Sequence, residues 1–341
     1  MMKTVILDEP GHYSLIDRDK PTPKAGEALV KVHRVGICGT DLHAFSGNQP
    51  FFEYPRVLGH ELGVEVIEVN GDNPKGLQPG DKCSVEPYMF NPDSYASQAG
   101  LTNACESMQV LGVHSDGGMS EYICVPANKL HKSDKLNFDQ LALVETLCIG
   151  AHAVERANPR VGENVLVIGA GPIDLGAMQF AQAEGARVIA MDINDERLSF
   201  CRETLGISAS VNALANDLED QLRHICDGNL PTVIIDATGN KRSMENTFKL
   251  AGHGCRIVFL GLFIGEVQFD DPSFHRKELT LMASRNALPE TFTKVIKAIE
   301  EGRLDTSSWV TQRMQLGDVP EVFASVPGQA GQIKAVIEVS N

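Results

Sequence analysis

The sequence predicts an α/β protein in which a doubly wound parallel sheet is joined to a second, β-rich domain. Two observations predict this class. The first stretch of about 145 residues holds short β-branched runs broken by Gly, Pro, Asn and Asp, whereas from Val161 buried strand-like runs alternate with helical stretches. A length of 341 residues agrees with two domains, because a single hydrophobic core stops growing near ~250 to 300 residues.

The N-terminal part is predicted to be irregular and mostly antiparallel. Its strand-like runs are short and are separated by turn-forming residues; they are ALVKVHRVGIC, LGVEVIEVN, DKCSVEPY and MSEYICVP. We expect them to form one β-rich domain over residues 1–147.

The middle part, residues 148–287, is predicted to be a doubly wound parallel sheet with helices between its strands. Its six strand candidates are NVLVIGAG, ARVIAMD, ASVNA, TVIIDATGN, CRIVFLG and ELTLMAS. After Pro289 come the helix ETFTKVIKAIEEG and the strand QIKAVIEVS, which have no place in that sheet. We therefore expect residues 288–341 to return to the first domain.

Composition and charge exclude some classes of partner. A net charge of -15 disfavours nucleic acid and anionic membrane surfaces, because both would repel the chain. The N-terminal MMKTVILDEP has no signal-peptide pattern, and no run approaches the ~18 apolar residues of a membrane span. The eight cysteines are scattered, which is typical of a reducing cytoplasm, so we expect a cytoplasmic protein without disulfides.

A nucleotide-binding pattern lies where the first parallel strand meets its helix. In VLVIGAGPIDLG, Gly169 and Gly171 lack side chains, which lets backbone N–H groups approach a pyrophosphate. Asp192 ends the next strand, 21 residues after Gly171, where a carboxylate binds the ribose hydroxyls and repels a 2′-phosphate. The pattern therefore favours NAD over NADP. Arg197 either lies over the adenine or is a solvated helix-face arginine, and the sequence supports both equally.

One position departs from the G-x-G-x-x-G pattern. Its third glycine falls at Asp174, and Gly176 follows two residues later. The third glycine serves close packing of helix on strand. Asp174 therefore either points outward and benefits from the helix dipole, or competes with the pyrophosphate for the same amides.

Three separated segments supply side chains that bind metals. They are GICGTDLH with Cys38, Thr40, Asp41 and His43, GHELG with His60 and Glu61, and LALVETLCIGAHAV with Glu145. A thiolate, an imidazole and a carboxylate make an open zinc site, in which three protein ligands leave a position for substrate or water. One such cysteine or histidine alone is more often a core residue. Their combination with a nucleotide-binding domain favours the metal site.

The chain resembles the zinc-dependent medium-chain dehydrogenases of the polyol and sugar branch. The motifs that carry the resemblance occur in the same order and are GICGTDLH, YPRVLGHE, VLGVHSDGGMSEYICVP, VETLCIGAHAV and GAGPIDLG. A narrower resemblance, to the bacterial hexonate 5-dehydrogenases of the L-galactonate and L-gulonate type, rests on GNQPFFEYPRVLGHE and SFHRKELTLMASRNALPETF. The resemblance implies a GroES-like catalytic domain made from both chain ends and a Rossmann NAD-binding domain between them.

The resemblance also implies roles for individual residues. Cys38, His60 and Glu145 match the zinc ligands, and Glu61 matches a carboxylate that swings in when water or substrate leaves. The remaining assignments are Asp41 as the residue that orients His60, Thr40 and His43 as the proton relay, and Pro172 and Ile173 as part of the cofactor motif with Gly169 and Gly171. Thr146 departs from the family, which usually has proline after the third ligand.

The implied activity is NAD- and zinc-dependent oxidation of a secondary hydroxyl of a sugar acid or polyol to the keto compound. The expected partners are that small-molecule substrate and further copies of the chain, in a dimer or tetramer. Arg56 and Arg285 are candidates to bind a substrate carboxylate, and either can equally form a structural salt bridge. An L-threonine 3-dehydrogenase or a simple alcohol dehydrogenase is an alternative of the same fold. A catalytically lapsed ligand-binding or regulatory protein is an alternative of another class, which the intact site motifs disfavour.

The segment from Ser84 to Val113, named here the 84–113 lobe, lies where many relatives carry four cysteines around a structural zinc. The matching positions are Asn91, Ser94, Ser97 and Cys105. Neutral amide and hydroxyl groups do not replace thiolates as ligands of structural zinc. We therefore predict one catalytic zinc per chain, no structural zinc, and a lobe held by a turn at Asn91 followed by a capped helical start.

Overall fold

The computed structural model describes residues 1–49, 52–326 and 331–340. Residues 50 and 51, in the stretch GNQPFFEYPRVLGHE, and residues 327–330 and 341, in the predicted range 288–341, lie outside the described residues. The strands are β1 (Met2–Glu9), β2 (His12–Arg18), β3 (Glu27–Gly36), β4 (Glu61–Asn70), β5 (Lys82–Val85), β6 (Tyr88–Met89), β7 (Gln109–Val110), β8 (Tyr122–Pro126), β9 (Leu130–Lys132), β10 (Asn164–Ile168), β11 (Arg187–Asp192), β12 (Ala209–Asn212), β13 (Val233–Asp236), β14 (Arg256–Phe259), β15 (Thr280–Ala283), β16 (Val310–Gln315) and β17 (Lys334–Glu338). The helices are α1 (Gly39–Phe45), α2 (Tyr95–Gln98), α3 (Phe138–Ala157), α4 (Pro172–Ala183), α5 (Asp195–Glu203), α6 (Leu218–Ile225), α7 (Lys241–Leu250), α8 (Asp271–Arg276), α9 (Pro289–Glu300) and α10 (Val319–Val322).

The chain divides into two compact units. The first comprises Met1–Thr146, Leu288–Gly302 and Thr306–Asn341, and the second comprises Leu147–Ala287 and Arg303–Asp305. The two ends of the chain therefore share one unit, and the middle of the chain forms the other.

The first unit is built on a seven-stranded sheet in the order β16-β17-β3-β4-β5-β9, with β8 paired to β3. All these pairs are antiparallel except β16 with β17. Val30, Val32 and Val64 have no exposed surface, so the two longest strands lie inside the core of this unit. The predicted β-rich, mostly antiparallel domain is confirmed. The hairpin of β1 and β2, which the sequence analysis did not predict, is an addition.

The second unit contains a six-stranded sheet in the order β12-β11-β10-β13-β14-β15, and every pair is parallel. Val165, Leu166 and Val167 of β10 have no exposed surface, as expected where helices cover both faces of a parallel sheet. The predicted doubly wound sheet is confirmed. Strand order changes direction at β10 and β13, and ligands of such sheets bind beyond the carboxyl ends of the strands at that point.

Within the described residues, none of the helices combines the length and the apolar character that crossing a membrane requires.

Candidate active site

Helix α1 carries several of the predicted site residues of the first unit. Cys38 directly precedes the helix, and its backbone N–H donates to Oδ2 of the buried Asp41 at 2.9 Å. This bond caps the first turn, because the backbone N–H groups there have no partner within the helix. Thr40 is half-buried and His43 is exposed. Residues three apart share one helix face, so α1 presents Thr40 and His43 together.

Cys38, His60 and Glu61 form a cluster of metal-binding side chains. Their ligand atoms all lie within 4.8 Å of one another. Glu61 begins β4 and His60 precedes it, so both residues are fixed by the sheet, whereas Cys38 is fixed by the start of α1. A Cβ atom at Gly36 would lie only 2.1 Å from Oε2 of Glu61, so the last residue of β3 must be glycine for this carboxylate to fit.

His60 lies beside Asp41 without a hydrogen bond between them. Nδ1 of His60 and Oδ1 of Asp41 are 3.9 Å apart, and neither atom has a hydrogen-bond partner among the described residues. Burial alone lowers the pKa of His60, but the charge of Asp41 and a hydrogen bond with Cys38 raise it well above its ordinary value. Orientation of His60 by Asp41 stays a prediction.

Lys334 is a member of this site that the sequence analysis missed. Its ammonium group is buried and donates to Oε1 of Glu61 at 2.6 Å. The hydroxyl of Thr146, the residue that departs from the family pattern, donates to the same oxygen at 2.5 Å. The signal was present at the start of β17, because a lysine that begins an apolar, buried strand is a charge that needs a buried partner. Glu61 is therefore held by two residues that come from other parts of the chain.

Glu145 is buried in the same unit but is bound differently. Its Oε1 atom accepts a hydrogen bond from the hydroxyl of Tyr88. Burial raises the pKa of Glu145, His60 opposes this, and Glu61 adds to it. Glu145 therefore acts electrostatically on His60, while the group of ligand atoms within 4.8 Å contains Glu61 instead. The role of Glu145 as the third zinc ligand stays a prediction.

The cluster fits a divalent cation on chemical grounds. In and around the cluster, acidic groups outnumber cationic ones. The acidic groups are Cys38, Asp41, Glu61 and Glu145, and the cationic groups are the ammonium of Lys334 and the imidazole of His60. Acidic groups packed together in this way are costly to ionise unless a cation balances their charge. Thiolate, imidazole and carboxylate are the ligands of zinc, so Cys38, His60 and a carboxylate of Glu61 or Glu145 would hold that ion.

The second unit has a cleft of about 1310 Å³ at the carboxyl ends of its strands. Among the residues that line it are Gly169, Gly171, Asp192 and Arg197. Asp192 ends β11, and its Oδ2 atom accepts the backbone N–H of Ala170 at 2.8 Å. The structure thus brings these four predicted residues together around one cleft. The remaining two, Pro172 and Ile173, begin α4 directly after Gly171, and their part in binding stays a prediction.

The 84–113 lobe has the local structure that was predicted for it. The backbone N–H of Asp93 donates to Oδ1 of Asn91 at 3.0 Å, which forms a turn, and Ser94 then caps α2 by accepting the N–H of Ser97 at 3.2 Å. Sγ of Cys105 accepts the N–H of Asn91 at 3.3 Å. At the four positions where relatives carry cysteines, the neutral groups of Asn91, Ser94 and Ser97 therefore make hydrogen bonds within the lobe, and one of these bonds goes to the thiol of Cys105. The absence of a structural zinc stays a prediction.

Two parts of the chain match known families. Residues 24–135 match the family described as alcohol dehydrogenase GroES-like domain, and residues 172–301 match the family described as zinc-binding dehydrogenase. The chain therefore belongs to the zinc-type medium-chain alcohol dehydrogenases. The resemblance stated from the motifs is confirmed, as are the GroES-like and Rossmann-type domains and the assignment as a zinc- and nicotinamide-dependent dehydrogenase.

Individual relatives give a finer comparison. The chain is 44% identical to L-galactonate-5-dehydrogenase of Escherichia coli strain K12 over 94% of both chains. It is 30% identical to L-threonine 3-dehydrogenase of Pyrococcus horikoshii over 92% of this chain and 91% of the relative. The crystal structure of a short chain alcohol dehydrogenase (rspB) from E. coli CFT073 with NADH superposes with a TM-score of 0.91 and 30% identity, over 99% of both chains.

Proposed function

We propose that this chain oxidises a secondary hydroxyl of a hexonate to a ketone and reduces NAD. The observation that carries the proposal is the cluster of the half-buried Cys38 with the buried His60 and Glu61, whose ligand atoms lie within 4.8 Å of one another. A dehydrogenase that had lapsed into a binding protein has no need to keep such a cluster of buried charges, which is costly to maintain. The 44% identity to an L-galactonate-5-dehydrogenase supports a sugar acid as the substrate.

Each part of the site has a task in this reaction. Cys38, His60 and a carboxylate hold the zinc, which when bound supplies a Lewis acid that lowers the pKa of the substrate hydroxyl. The hydroxyl of Thr40 accepts the substrate proton at Oγ1 and gives up its own proton, which the exposed imidazole of His43 on the same face of α1 accepts and releases to water. Lys334 and Thr146 donate hydrogen bonds to the carboxylate of Glu61 and hold it in the position from which it would move to the zinc when water or substrate leaves.

The cleft of the second unit is proposed to bind the dinucleotide. Gly169 and Gly171 lie at the start of α4, where backbone N–H groups bind a pyrophosphate. Asp192 lies at the end of β11 and would accept hydrogen bonds from the hydroxyls of the adenosine ribose. The 2′-phosphate of NADP would be repelled by the same carboxylate. The proposal therefore predicts a preference for NAD over NADP.

A substrate panel tests the proposed function. L-galactonate, L-gulonate, their polyol analogues, L-threonine and simple alcohols are each supplied with NAD or NADP, and the absorbance of the reduced nicotinamide is followed. The highest kcat/KM should belong to a hexonate with NAD. A higher kcat/KM for threonine or a simple alcohol would mean that this compound, and not a hexonate, is the substrate. Absence of both zinc and turnover in the purified protein would favour the lapsed binding protein.

Arg285 and Arg56 are the two candidates proposed to bind the hexonate carboxylate. Arg56 lies 3.8 Å from Asp116, which also accepts hydrogen bonds from Arg18 and from the backbone of Val57, so Arg56 has a structural contact as well. Arg285→Met should raise KM for a hexonate and leave KM for the matching polyol unchanged, because only the acid has a carboxylate to bind. An equal rise for both substrates would show that Arg285 does not bind the carboxylate.

We also propose a homo-oligomer, a dimer or tetramer, in the cytoplasm. All eight cysteines are free thiols in the structure, which agrees with a reducing compartment. Light scattering of the purified protein measures the number of chains, and a monomer at working concentration would contradict the oligomer.

A further inference from the structure

Asp174 occupies the mouth of the cofactor cleft. It stands at the third glycine of the fingerprint and is only 6% exposed. Its Oδ2 atom accepts the backbone N–H of Gly171 at 2.9 Å, and its Oδ1 atom has no hydrogen-bond partner among the described residues. A buried carboxylate oxygen without a partner is costly, so this side chain is poised to bind something else.

The carboxylate also fills the space above the turn. The backbone of Gly169 passes so close that a Cβ atom there would lie 2.5 to 2.8 Å from the carboxylate atoms of Asp174. In sheets of this type, the pyrophosphate of a dinucleotide lies against this turn and receives hydrogen bonds from the N–H groups at the start of the helix. Asp174 therefore takes both an amide and a part of the volume that the pyrophosphate needs.

Other acidic groups surround it. The charges of Asp192 at the end of β11 and Asp236 at the end of β13 act on Asp174, and Asp174 in turn raises the pKa of the Cys201 thiol on α5. Burial raises the pKa of Asp174 to about 7, and the charges of the two aspartates add to this effect. Arg197 and Arg242 line the same cleft. Near neutral pH the chain thus contains both the charged and the neutral form of Asp174.

We propose that Asp174 determines the affinity of the chain for its dinucleotide, and that the cofactor binds to the form in which this carboxyl carries a proton. A charged Asp174 keeps the amide of Gly171 and repels the phosphates. A protonated Asp174 is neutral, and its O–H group donates to a phosphate oxygen. The inference rests on the proposed function in one respect, namely that this cleft binds a nicotinamide dinucleotide.

The sign of the pH dependence follows from this linkage. Below about pH 7 the carboxyl is mostly protonated in the free protein, so the affinity is at its highest and constant. Above that value each binding event must take up a proton. The dissociation constant then rises by up to about tenfold per pH unit, until the pKa that Asp174 has in the complex is reached.

Calorimetry of NAD binding to the full chain tests the proposal. Titrations run from about pH 6 to about pH 9, in buffers of different ionisation enthalpy, so that protons taken up on binding are counted. The wild-type chain should take up close to one proton at about pH 8. Asp174→Asn keeps an acceptor for Gly171 but does not titrate, so its affinity should not change with pH. Asp174→Gly restores the fingerprint and should bind most tightly, with no proton uptake.

The outcomes separate this inference from the proposed function. If the wild type binds NAD without proton uptake, or if Asp174→Asn keeps the wild-type pH dependence, Asp174 does not determine the affinity and the dehydrogenase function stands. If neither the wild type nor Asp174→Gly binds NAD or NADP, the proposed function fails instead. Thermal unfolding of each variant shows whether it is folded, and the absence of proton uptake by the wild type would overturn the inference even if both variants unfold.

Discussion

The cluster at Cys38 and the 84–113 lobe are two regions of one unit that differ in how their polar groups are satisfied. In the cluster, Nδ1 of His60 and Oδ1 of Asp41 lack hydrogen-bond partners among the described residues, and acidic groups are in excess. In the lobe, Asn91 and Ser94 make local hydrogen bonds, and the thiol of Cys105 accepts one of them. The first region needs a cation to be balanced, whereas the second does not.

The difference shows that chain length and frame alone do not make a metal site. The lobe is closed by the pairing of β6 with β7, and it keeps the four aligned positions Asn91, Ser94, Ser97 and Cys105. What it lacks is the donor chemistry, because neutral amide and hydroxyl groups satisfy one another. A half-buried thiol beside a buried imidazole and a buried carboxylate leaves polar atoms without partners among the described residues, so a site of that kind keeps its affinity for a metal.

The largest expected effect is that of Cys38→Ser. This change removes the thiolate ligand, so turnover on any substrate should be lost while NAD affinity, measured by calorimetry, stays nearly unchanged. Cys124→Ser is the matched control, because Cys124 is half-buried on β8 and lies outside the cluster. Loss of both turnover and NAD binding in Cys38→Ser alone would mean that Cys38 has a structural role.

The effect of Lys334→Met should be the next largest, because this change leaves the carboxylate of Glu61 buried without its ammonium partner. Removal of one member of a buried ion pair costs about 3 to 5 kcal/mol, which urea unfolding of the zinc-loaded protein measures. The double variant Lys334→Met with Glu61→Gln removes both charges and should recover part of the loss. If the two losses simply add, the ion pair does not stabilise the protein.

Introducing cysteines into the 84–113 lobe should give it a metal site of its own. Replacing Asn91, Ser94 and Ser97 by cysteine gives four thiols with Cys105, and the variant should bind one more zinc per chain, counted by metal analysis. The same graft with Cys105→Ser has three thiols and should not bind the additional ion. Equal zinc in the two grafts would show that the lobe no longer has the geometry for tetrahedral binding.

Cys105→Ser in the unmodified chain should have the smallest effect, with zinc content and turnover unchanged. A hydrogen bond with Ser94, helped by Asn91 and Ser107, lowers the pKa of Cys105 from its ordinary value of 9.0 to about 6. The thiolate of Cys105 therefore stabilises the folded chain fully when the pH is above the ordinary pKa of 9.0, and this stabilisation is lost as the pH falls through about 6. Thermal unfolding should show a difference between the two proteins that grows with pH, and a constant difference would contradict this.

The sequence predicted the sheets well and the contacts of the site less completely. Runs such as VLVIG and TVIID are continuous apolar strands between helical stretches, and such runs are nearly unambiguous in a parallel sheet. The candidate ligand residues could be named from the sequence because their motifs are local, and their roles stay predictions. Lys334 was missed because its partner Glu61 is 273 residues away in the sequence, and no local pattern joins them. The sequence left open whether the side chain of Asp174 points outward or towards the turn, because this depends on how closely the backbone of Gly169 passes the carboxylate, which the sequence does not show.

Zinc stoichiometry tests the central claim most directly. Metal analysis of the wild type and of Cys38→Ser, purified in the same way, should give about one zinc per chain and about none, respectively. Two zinc ions per chain in the wild type, or one retained in Cys38→Ser, would contradict a single metal site at the cluster of Cys38, His60 and Glu61.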